Sequence, residues 1–97
     1  MAQPIACTLT ADELRDRTGA LAALAARALR SRARTPAGER LIFADSPATE
    51  AELRAAIAAE VSCCAFLRMD LQRRDEGLVL DIAGPQEAQA VIAELFA

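Results

Sequence analysis

Hydrophobic and polar positions along the chain change period several times, and each change marks an element. Ile5, Cys7 and Leu9 alternate with Ala6 and Thr8, which predicts a short half-buried strand. Thr10-Ala-Asp-Glu13 then reads as a capping box and opens a helix expected from Ala11 to about Arg32. Leu14, Leu21, Leu24 and Ala28 give that helix its apolar stripe. Thr35-Pro-Ala-Gly38 breaks it, and Arg40 to Ala44 forms a second strand with Leu41 and Phe43 on one face. Ser46-Pro47 starts another helix, with Thr49 and Glu52 as a competing capping box. Its stripe is expected at Leu53, Ile57, Val61 and Cys64.

After Cys64 the period falls to two. Leu67, Met69 and Leu71 alternate with Arg68, Asp70 and Gln72, and Leu78, Leu80 and Ile82 follow a turn at residues 73–77. Gly84-Pro85 ends this hairpin and starts a last helix that faces inward through Ala88, Val91, Ile92 and Leu95. The predicted order is β-α-β-α-β-β-α. A hairpin with one apolar and one polar face needs helices on a single side. The expected fold is therefore α+β, a two-layer sandwich of about four strands with a split-βαβ, ferredoxin-like flavour, in one domain over residues 1–97.

Composition narrows the function more than the fold. The chain has no histidine, tyrosine or tryptophan. That removes Ser-His and Cys-His catalysis and His-containing zinc sites, and leaves only phenylalanine for base stacking. All basic residues are arginine, and the net charge is -3, which argues against nucleic acid as the main partner. No apolar run approaches the roughly 18 residues of a membrane span, and Met1 to Leu9 lacks the basic start of a secretory signal. A cytoplasmic protein without a membrane partner is expected, and a metabolic enzyme is the least favoured class. Three cysteines are too few, and odd in number, for a disulfide scaffold.

Cys63 and Cys64 are the residues that packing explains least well. Adjacent cysteines cannot share one face of a regular helix, since each step turns about 100°, but they can converge where a helix ends. Two thiolates hold a linear soft ion and a third makes a trigonal site; Cys7 is the only candidate third ligand. The ions suited are Hg(II), As(III), Cu(I) and Zn(II), and no cofactor is required. Glu60 sits one turn before the pair, and Arg68 follows it. A helix C-terminus and Glu60 both oppose thiol ionisation, and Arg68 offsets part of this. The bland alternative is that the cysteines are small buried hydrophobes. Two other functions compete. One is a redox-sensing or thiol-transfer protein in which Cys63 and Cys64 cycle through a disulfide, or either pairs with Cys7, exchanging with a thiol donor. The other is an interaction module with buried cysteines that homodimerises by edge pairing or packs its exposed face on a partner.

Three further groups have weaker readings. Arg27, Arg30 and Arg34 fall on one face of the expected first helix, and are read as a solvated helix end rather than an anion patch. Asp70 and Asp81 lie on the polar faces of the two hairpin strands: paired across the hairpin they would resemble a general acid/base couple, and the favoured reading is that both are exposed and neutralised by Arg68 or Arg73. Ser46 and Ser62 have no base nearby.

"ACTLTADELRDR", "AAEVSCCAFLRMDL" and "LVLDIAGPQEAQAVIAELF", in that order, resemble a group of small uncharacterised bacterial proteins. Their middle motif is E-x-x-C-C-x-F-L followed by a strand. The resemblance implies an association with heavy-metal, especially mercury, resistance genes. It would make Cys63 and Cys64 metal thiolates, Cys7 the third ligand and Glu60 an acceptor behind them. This chain departs from the pattern at Ala65, where proline or a charged residue is expected.

Overall fold

The computed structural model describes residues 11–63 and 65–96. Helix α1 (Ala11–Ala28) runs straight into strand β1 (Leu29–Arg34), which turns at Thr35-Pro-Ala37 into β2 (Gly38–Phe43). Helix α2 (Pro47–Cys63) crosses to the hairpin of β3 (Arg68–Arg74) and β4 (Gly77–Ala83). A single 3-10 turn, Gln86–Ala88, leads into α3 (Gln89–Glu94). The fold is α+β, as the sequence pattern requires. The predicted strand at Ile5 to Leu9 and the Thr10 cap lie outside the described residues.

The sheet has the order β1-β2-β4-β3 with every neighbouring pair antiparallel. Strands β2 and β3 both run against β4, so they are parallel to each other with β4 between them. β2-α2-β3 is thus a split βαβ unit. On one face lie Leu41, Phe43, Leu78, Leu80 and Ile82, fully buried and in one cluster with Leu21 and Leu24 of α1, Leu53 of α2 and Ile92 of α3. All three helices therefore cover the same side. Phe96 closes the cluster with its ring edge-on to Phe43, centroids 5.4 Å apart. The other face is open and carries Ser31, Arg40, Asp81, Asp70 and Gln72, with Val79 shielded among them.

Two glycines allow the central strands to meet. A Cβ on Gly38 would stand 2.0 Å from the Ile82 carbonyl oxygen. Gly77 has φ 129°, disfavoured for L side chains, and a Cβ there would stand 2.4 Å from the Phe43 carbonyl oxygen. Any side chain at either position pushes backbone apart.

The largest difference from the sequence reading is β1. The expected helix to Arg32 ends at Ala28, and Leu29–Arg34 pairs with β2 through a bulge between Leu29 and Ser31. Leucine, arginine and alanine are good helix formers, so local propensity favours continuing the helix. Pairing with β2 wins because it supplies partners for a whole row of β2 backbone groups. Arg27, Arg30 and Arg34 consequently share no helical face: Arg27 ends α1 and the other two lie in β1.

Helix α2 starts as its Ser-Pro pair predicts. The Thr49 N–H donates to Ser46 Oγ at 3.1 Å, so Ser46 is the cap and Pro47 the first helical residue. Its buried stripe diverges at the far end. Leu53 is fully buried and Ile57 half-buried, but Val61 is 42% exposed and Glu60 only 3%. Helix α1 packs on that side and supplies an arginine to the carboxyl, as described below.

Candidate functional site

The end of α2 is built from one direction by the chain and from another by α1. Arg27 Nη2 donates to Glu52 Oε2 at 2.9 Å. Arg17 Nη1 donates to the Ala59 carbonyl at 3.0 Å and lies 3.9 Å from Glu60 Oε1. Residues rising along α1 therefore meet residues falling along α2, and the two helices are antiparallel. Between them the short side chains of Ala20, Ala23, Ala55, Ala56 and Ala59 leave a groove of about 820 Å3.

This pairing fixes which helix ends are neighbours. Ala11, the first residue of α1, precedes Arg17 by about 9 Å of helix rise; Cys63, the last of α2, follows Glu60 by about 4.5 Å. Both helix ends lie beyond the Arg17–Glu60 contact at the same end of the pair. Arg17 also brings positive charge to a carbonyl in the last turns of α2, where the helix dipole favours a cation.

Glu60 is the perturbed group of this region. Burial pushes its carboxyl above the ordinary value of 4.5, and the Arg17 guanidinium offsets part of the rise. The sign of its effect on stability follows. As pH rises above the ordinary carboxylate value, the unfolded chain ionises before the folded one, and stability falls until the folded carboxyl also ionises. Glu60→Gln should flatten that fall and raise the urea midpoint at neutral pH relative to the parent. A lower midpoint for the variant at neutral pH would mean that the Arg17 contact outweighs the burial.

The candidate residues fall into three groups by placement. Cys63 closes α2, and Glu60 is held one turn before it under Arg17. Arg68 is the first residue of β3, exposed, opposite Ala83 on the open face. Cys7 and Cys64 lie outside the described residues. Among the described residues no three His, Cys, Asp or Glu side chains gather into a metal-binding group.

Several of the remaining charged residues have structural partners. Asp70 and Asp81 do face each other across the hairpin. Asp81 is neutralised by Arg40, through bonds of 2.7 and 3.0 Å, rather than by Arg68 or Arg73. That contact holds the Asp81 carboxyl below its ordinary range. Arg73 instead ties β3 to the start of α2 through Asp45 and Glu50, and Arg54 also holds Glu50. Arg32 was not singled out by spacing. It lies on the helix-covered face of β1, donates to Glu39, and donates to the carbonyls of Ile92, Ala93 and Leu95 at 2.8–3.2 Å. The signal that would have found it is the period-two run Arg30, Arg32, Arg34.

The fold and this helix-end arrangement define a small α+β domain with one open sheet face. No family model, no curated protein and no solved structure matches the chain. No helix of the described residues is long and apolar enough to cross a membrane.

Proposed function

We propose that the protein binds a soft metal or metalloid ion through Cys63 and Cys64, with Cys7 as third ligand, and sequesters it or hands it on by thiolate exchange. The observation that carries this reading is the antiparallel pairing of α1 and α2. It brings the start of α1 to the end of α2, where Cys63 stands. Cys7 precedes Ala11 by four residues, a reach of up to about 14 Å of extended chain. That tether is short, which supports Cys7 over any residue further along the chain as the third ligand.

Three thiolates with no fourth soft ligand suit trigonal Hg(II) or As(III) better than tetrahedral zinc. Binding releases the thiol protons, so the negative helix end and Glu60, which oppose ionisation in the free protein, are overcome by the ion's own charge. Arg17 adds positive charge near the helix end, at the Ala59 carbonyl. The test is dialysis of the reduced protein, loaded with one equivalent of Hg(II), against excess glutathione. Retention of the ion supports the reading, and complete stripping refutes it.

A further inference from the structure

Among the described residues the sheet has two unpaired edges, and they are built differently. β1 at one edge is interrupted by its Leu29–Ser31 bulge and carries Arg30, Arg32 and Arg34 in six residues. Bulges and like charges of this kind prevent an edge from pairing with itself. β3 at the other edge is regular over Arg68–Arg74 and pairs residue for residue with β4. Two of its charges are opposite in sign and free to pair: Arg68 and Asp70 are both exposed on the open face, and among the described residues neither has an ion-pair partner. Met69 and Leu71, on the helix-covered face, are only half-buried and pack at the margin of the core.

We infer that β3 is a homodimer edge, pairing antiparallel with β3 of a second copy about a two-fold axis at Met69. This register sets Arg68 opposite the partner subunit's Asp70, and Asp70 opposite the partner subunit's Arg68. It sets Met69 opposite the partner subunit's Met69. Charge complementarity is therefore satisfied twice on one face, and the two half-buried Met69 side chains meet at the axis on the other. Neighbouring registers are worse. An axis at Asp70 opposes two aspartates, and one at Leu71 opposes Arg68 with the partner subunit's Arg74. An axis at Gln72 pairs Asp70 with the partner subunit's Arg74, but sets Leu71 against an arginine already bonded to Asp45 and takes Arg74 from Gln72.

The test is the mass of the reduced full chain in sedimentation across a concentration series, with reductant excluding a disulfide dimer. A dimer of two 10.3 kDa chains is expected. Asp70→Arg should weaken it at least tenfold, since it opposes arginine to arginine twice. The double reversal Arg68→Asp with Asp70→Arg should restore it. All of these positions are exposed, and circular dichroism confirms folding of each variant. A wild-type monomer up to millimolar concentration overturns the proposal, as does a dimer indifferent to Asp70→Arg. Rescue of Asp70→Arg by Arg74→Asp and not by Arg68→Asp overturns the register.

Discussion

Arg32→Ala should destabilise the protein by about 3–5 kcal/mol, a large share of the roughly 5–15 kcal/mol available to a domain of this size. Arg32 performs two tasks from one position. Its Nε is bonded to Glu39, which is buried on the helix-covered face, and one terminal nitrogen serves the carbonyls of Ile92, Ala93 and Leu95 as α3 ends. Alanine leaves a buried carboxylate without its cation and three carbonyls without their donor. Arg32→Lys should recover only part, because a point ammonium cannot fork between a carboxylate and a helix end. Replacing both Arg32 and Glu39 by leucine should cost less than Arg32→Ala, since no unpaired charge remains. Urea unfolding measures all three. A loss below about 1 kcal/mol for Arg32→Ala would mean that the pair behaves as a surface bridge.

Changing both Cys63 and Cys64 to serine should abolish retention of Hg(II) against glutathione. The site then falls from three tethered thiolates to one. A single protein thiol has no advantage over a glutathione thiol, whereas tethered thiols gain about 10²–10⁴-fold from effective concentration. Retained metal should drop at least a hundredfold, while far-ultraviolet circular dichroism stays that of the parent because Cys63 stands at the last position of α2. Cys7→Ser should give an intermediate loss, leaving a linear pair. Unchanged retention in the double variant would assign the uptake elsewhere in the chain.

Much of the fold was legible because the pattern and the packing agree. The alternation through Leu67 to Leu71 and Leu78 to Ile82 marks the β3–β4 hairpin to within two residues, since strands covered on one side must alternate. Ser46-Pro47 marks the start of α2, because the cap chemistry is local. What was hidden depended on distant partners. Leu29–Arg34 has helical propensity and lies directly after a helix with no glycine or proline between them. Only the need of β2 for a neighbour makes it a strand.

The same holds at the candidate site. Placing Val61 on the buried stripe of α2 and Glu60 off it follows from counting hydrophobic residues. The structure reverses the two because Arg17, far off in sequence, supplies a partner for the carboxyl. Arg40, not Arg68 or Arg73, reaches Asp81 because β2 and β4 are neighbours in the sheet, an order no local pattern reveals. The vicinal cysteines and Cys7 were legible as candidates from the sequence, but Cys7 and Cys64 lie outside the described residues.

The most direct measurement is the number of protein thiols protected when the reduced chain holds one Hg(II) in excess glutathione. One ion per chain and the loss of three thiols together, Cys7, Cys63 and Cys64, are expected. Loss of two alone would remove Cys7 from the site. An ion fully surrendered to glutathione, with all three thiols free, would contradict the proposed function outright.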